Sequence, residues 1–260
     1  MTSQDTARPT RDHSRVLPVA VLVAAVLQTV TPVVTIAGPG SSPGEGSGPE
    51  LLITPVGWAF SIWGVIYTLA IVQAVAALVT RSHGSPRRQT AQLALYLGGA
   101  VWILLAGIDS SLATAAALTV MFGAAVVAVL TVAREEIDPS WLRRLTRAAV
   151  GLYAGWVTAA FFLNVSTALV DAGVVDADDL AWQVVVLAVA VVTLLVLAVA
   201  ARGLAAYALA GVWAMIGIAV TARDNGEDTI VAATFVGAVL LVVVTTVIDL
   251  RRRRAPLPVL

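Results

Sequence analysis

Two stretches of the chain set flat aromatic rings and a few polar groups at helical spacing. The first, residues 54–67, holds Pro55, Gly57, Trp58, Phe60, Trp63 and Tyr67. At 100° per residue Phe60, Trp63 and Tyr67 fall near one face, and Trp58 sits about 140° from Trp63. The second, residues 153–164, holds Tyr153, Trp156, Ala160 and Asn164. Together with Thr167 these lie within roughly 80° of arc, aromatic at one end and polar at the other. Indole and phenol rings stack on flat π-systems, while their N–H and O–H groups set orientation. Trp102 adds a third indole between the two stretches. The candidate ligand-binding residues are therefore Trp58, Phe60, Trp63, Tyr67, Trp102, Tyr153, Trp156 and Asn164.

Each has a plainer reading. Trp and Tyr collect at membrane interfaces, which accounts for Trp58. It accounts poorly for Tyr67, about 13 Å further along a helix. The other rings can simply fill a bundle. Asn164 must face protein, water or ligand, because an amide in lipid is costly, and bonding a neighbouring helix would satisfy it. Gly151 and Gly155 form a small-xxx-small pair suited to close helix packing.

Other chemistries lack their residues. Cysteine is absent, which removes disulfides, thiolate metal sites and iron–sulfur clusters. The two histidines, His13 and His83, fall in polar, basic segments, so no buried histidine site for a metal or haem is expected. No ionisable residue sits mid-span: Asp109 and Asp249 end apolar segments. A general acid–base pair and the buried charges of an ion pump are both missing from the pattern. The expectation is a protein that is not an enzyme and requires no cofactor.

The elements carrying these residues are set by composition. Of 260 residues 59% are hydrophobic and 12% charged, against about 45–50% and about 25% in soluble domains. Eight apolar segments run over 16–37, 55–80, 89–107, 112–133, 145–170, 181–201, 203–221 and 230–249. Each is near the roughly 20 residues that cross a bilayer as a helix. None alternates as barrel strands would. The fold class is all-α, a polytopic membrane helix bundle of eight transmembrane helices; a cytosolic enzyme and a disordered chain are excluded. Pro55 fits the first turn of the second helix, and Pro32 should kink the outer end of the first. The rival reading of residues 1–37 is a signal peptide, but the apolar run of about 22 residues exceeds a usual signal core.

With eight spans, fifteen of the sixteen arginines fall on one side and only Arg223 on the other. Positive charge marks the cytoplasmic side, so both termini are expected there, in a bacterial plasma (inner) membrane. No run exceeds four arginines, so the basic loops read as topology signals and not as anionic-lipid or nucleic-acid binders. Residues 38–49 are rich in Gly and Pro and form an outer loop, either a lid or a tether.

These stretches resemble the TspO/MBR family, the tryptophan-rich sensory and translocator proteins. Pro55, Gly57, Trp58, Phe60, Trp63 and Tyr67 match the family's second helix, and Tyr153, Trp156, Ala160, Leu163 and Asn164 its fifth. The resemblance covers residues 16–170 and implies a five-helix core with a pocket opening toward the loop after helix one. It further implies binding of a flat hydrophobic molecule such as a porphyrin or other tetrapyrrole, often in a homodimer. Tetrapyrrole degradation rests on this analogy alone. Two departures stand out. Trp58 and Trp63 are one residue closer than in the family. The family's third-helix Asn, three residues before Trp102, is Gly99 here, so its polar contact is missing or comes from Gln28 or Gln73.

The expected organisation is a tail (1–15), a five-helix core (16–170) with its outer loop (38–54), a three-helix extension (171–250) and a basic tail (251–260). Three functions are open: a membrane receptor for a hydrophobic small molecule, which is favoured, a transporter of such a molecule, or a scaffold whose aromatics only pack.

Overall fold

The computed structural model describes residues 13–36, 50–108 and 110–254. Eight helices follow in order: α1 His13–Ile36, α2 Ile62–Thr80, α3 Pro86–Ala106, α4 Ser111–Val132, α5 Ser140–Asp171, α6 Leu180–Ala200, α7 Ala205–Asp224 and α8 Asp228–Arg254. All eight are long and apolar enough to cross a membrane. No strand occurs among the described residues. The Gly/Pro-rich outer loop lies outside the described residues up to position 49, as does Asp109.

Local signals explain the helix starts. Ser85 accepts a hydrogen bond from the Arg88 N–H, with Pro86 in the first turn of α3. Ser110 caps α4 and Asp179 caps α6 in the same way. Helix α5 starts five residues before the apolar run, and α8 continues past its end through the arginines. Apolar composition marks where lipid begins, not where the helix does, because arginine stems stay helical while their heads reach the interface.

The second span differs from its sequence reading. Pro55 does not open a helix. A 3-10 segment, Gly57–Ser61, precedes α2. The Val56 N–H donates to the Gly217 carbonyl of α7 at 3.1 Å, so Val56 is tied to α7 in a non-helical conformation just before the 3-10 segment.

Helix α5 is the centre of the bundle. It packs against α2 and α4, and also against α6 and α7. Helix α1 lies on α2 and α3, and α8 lies on α6 and α7. In lipid, helices associate through close packing and polar contacts and not through a hydrophobic drive. The α5–α7 contact shows this. A Cβ on Gly155 would stand 2.3 Å from the Tyr207 carbonyl oxygen, and one on Gly151 2.9 Å from Leu204. The two glycines are used to bring α7 onto α5. The Thr158 and Tyr207 hydroxyls meet at 3.1 Å in the same interface.

A second apolar cluster ties the end of the outer loop to the last three helices. Leu51 and Ile53 are buried against Leu187, Ile218, Ala222 and Ile230. The Gln183 side-chain oxygen accepts the Ile53 N–H at 3.4 Å.

Candidate ligand cavity

Trp63 on α2 is the hub of the aromatic cluster. Its ring stacks on Tyr67 at 5.4 Å and lies 5.7 Å from Trp102 of α3. Tyr153 and Trp156 of α5 meet it edge-on at 5.7 and 6.2 Å. Phe60 meets Trp156 edge-on at 5.7 Å. The second and fifth spans do turn their rings toward each other, with α3 completing the set.

A cavity of about 50 Å³, measured to the centre of a water-sized sphere, opens beside this cluster. Phe60, Trp63, Trp102, Trp156 and Asn164 line it. The opposite wall comes from α6 and α7, through Leu187, Ala190, Leu194, Ala214, Met215 and Ile218, and Ile53 and Pro55 close one end. That wall is aliphatic. It carried no sequence signal, because Val, Leu and Ala facing a cavity look the same as Val, Leu and Ala facing lipid.

Three of the eight sequence candidates do not line the cavity. Trp58 is 47% exposed and packs edge-on against Trp213 of α7 at 5.2 Å. It lies in the 3-10 segment, where each residue turns about 120° and not about 100°, so the 140° offset from Trp63 read on an α-helical wheel does not apply. Tyr67 and Tyr153 sit one layer behind Trp63. Tyr153 stacks on Tyr96 at 5.6 Å, and its hydroxyl donates to Oε1 of Gln28 at 2.7 Å.

This last bond puts the Gln28 side chain beside Gly99, and Gln28 is not among the residues that line the cavity. A Cβ on Gly99 would fall 2.7 Å from the Tyr153 hydroxyl and 3.1 Å from Gln28 Oε1. The amide of Gln28, fully buried on α1, occupies the space that an Asn side chain on α3 would take. Gln73 works elsewhere: its oxygen accepts from Gln92 Nε2 at 2.9 Å. Gln92 in turn reaches Tyr96 and Arg88, and Arg88 pairs with Glu135 at 2.6 Å.

The polar groups at the cavity are few. Asn164 accepts from Trp102 Nε1 at 3.2 Å and donates to the Ala160 carbonyl at 3.0 Å. By contrast, the indole nitrogens of Trp63 and Trp156, both buried, have no hydrogen-bond partner among the described residues. Unpaired buried donors are uncommon, since each forfeits its hydration. No cluster of metal-ligating side chains occurs among the described residues.

Fold and cavity together define a multi-pass membrane helix bundle with an aromatic-faced hollow between its spans. The chain belongs to the TSPO-like protein family, whose model matches residues 16–247. The match runs through α6, α7 and most of α8, beyond the residues 16–170 that carry the sequence motifs, so all eight spans share in the family likeness. Membership supports a sensing or binding role at the membrane in general terms. No curated protein and no solved structure matches the chain.

Proposed function

We propose that the protein is a membrane receptor for a flat, largely apolar small molecule that carries a hydrogen-bond acceptor. The observation that carries this reading is the pair of unpartnered indole N–H groups, Trp63 and Trp156, on residues that line one cavity. Five other buried polar atoms among the described residues also lack partners, but none lines this cavity, where a carbonyl or ring nitrogen of a guest would satisfy both indoles. The arginine asymmetry supports cytoplasmic termini in a bacterial plasma membrane. The reading includes no catalytic step.

The lining chemistry suits a tetrapyrrole, but the closed volume does not. Pockets that enclose drug-sized ligands run to roughly 300–1,000 Å³, far above the 50 Å³ seen here. A tetrapyrrole would enter only with lining residues displaced. A smaller planar guest needs less.

The test is titration of the purified protein with protoporphyrin IX and with a graded set of smaller planar heteroaromatics, following Trp fluorescence. Saturable quenching is expected for members of the smaller set. Trp63→Phe and Trp156→Phe, which keep a ring and delete the N–H, should each weaken binding roughly 3- to 10-fold, the worth of one hydrogen bond. Trp58→Phe should bind like the parent protein. Absence of saturable quenching by every compound would overturn the proposal and leave a scaffold. Uptake into proteoliposomes above protein-free vesicles would favour a transporter.

A further inference from the structure

At the arginine-rich end of the bundle a groove of about 880 Å³ runs between the start of α5, the start of α7 and the end of α8. Arg144, Arg147 and Arg252 line its mouth, and Leu204, Ala206 and Leu209 line its wall. Neither ion pair found among the described residues involves these arginines. Arg252 donates to the Arg202 carbonyl at 3.0 Å, and Arg147 reaches only backbone carbonyls, at 3.4 Å. Arg147 is partly buried, and Arg143, Arg252 and Arg202 bear on it as like charges against the single carboxylate of Glu136. One carboxylate, Asp249, also lines the groove. The floor includes Thr245, 8% exposed, whose hydroxyl has no partner among the described residues.

Three arginines and one carboxylate line this groove, so its mouth carries net positive charge and favours an anion. The place of the groove says which anion. Arg252 and Thr245 are seven residues apart on α8, about 10 Å along the helix. The positive mouth therefore opens directly onto an apolar trough that points into the membrane.

We propose that this groove holds one anionic phospholipid of the adjoining leaflet. Its phosphate sits among Arg144, Arg147 and Arg252, and the first part of an acyl chain lies along Leu204, Ala206 and Leu209. A head group with net negative charge is favoured over a zwitterionic one, whose ammonium would bring a positive charge to an already positive mouth. The site is independent of the aromatic cavity, and its formation needs α7 and α8.

The experiment is native mass spectrometry of the full chain released from bilayers of equal phosphatidylglycerol and phosphatidylcholine. One retained phosphatidylglycerol is expected, and millimolar inorganic phosphate should not displace it. The triple variant Arg144→Gln, Arg147→Gln, Arg252→Gln should lose it at least fivefold. A triple variant with the same charge loss outside the groove, Arg15→Gln, Arg81→Gln, Arg87→Gln, should retain it. Ala205→Trp fills the groove with all arginines intact and should also lose the lipid. That reports on the trough even if the groove triple variant fails to fold. Equal loss in both triple variants, equal retention of the two lipids, displacement by free phosphate, or full retention in Ala205→Trp would each overturn the proposal.

Discussion

Trp102 on α3 donates its indole N–H to Asn164 on α5 at 3.2 Å, and this one bond joins two spans across the wall of the cavity. Asn164 also bonds its own helix at Ala160, so its amide is held in place from both sides. A double-mutant cycle of Trp102→Phe and Asn164→Leu should show a coupling of about 0.6–1.7 kcal/mol, the range found for hydrogen bonds between membrane helices. Reversible unfolding in mixed micelles measures it. Additive losses would mean that the two side chains act separately.

The close approach of Gln28 and the Tyr153 hydroxyl to Gly99 makes a sharper prediction. Gly99→Asn places its Cβ against the Tyr153 hydroxyl and Gln28, and overpacking of this kind costs about 1–3 kcal/mol. Adding Gln28→Ala vacates that space. The double variant should recover most of the thermal stability that Gly99→Asn loses, and recovery of none would show that the two amides do not compete for one site.

Glycine positions along the bundle should divide by what surrounds them. Gly155→Ala drives a methyl group into the Tyr207 backbone and should destabilise by about 1–3 kcal/mol, with loss of protection in α7 by hydrogen exchange. Gly123→Ala meets nothing within 4 Å and should be neutral or mildly stabilising, as Ala is in helices by up to about 1 kcal/mol. Similar melting temperatures for the two variants would contradict the packing described for α5 and α7.

Trp213 of α7 holds the 3-10 segment through its indole, which donates to the Ala59 carbonyl at 2.7 Å. Trp213→Phe deletes that bond, worth about 0.5–1.5 kcal/mol. Residues 56–60 should then exchange amide hydrogens faster. If that segment must move to admit a large guest, the variant should gain affinity for protoporphyrin relative to a small planar compound. An unchanged preference would dissociate the segment from access.

The sequence by itself determined the eight spans, because a bilayer requires apolar length and internal backbone pairing, and both are local properties. It also marked Trp63, Trp156 and Asn164 as standing out from their neighbours by type, while the tertiary structure decided that their faces meet. Tertiary structure alone decided that α6 and α7 wall the cavity, that Trp58 leaves the cluster for Trp213, and that Gln28 fills the place left by Gly99. The physical reason is the same for the first and the last. In lipid the outside of a helix is as apolar as its inside, so an aliphatic helix carries no mark of the face it buries, and a contact between α1 and α3 depends on how whole helices stack. Trp58 differs: its direction was set by a switch from 3-10 to α geometry, fixed by the bond between Val56 and Gly217, 161 positions apart in the chain.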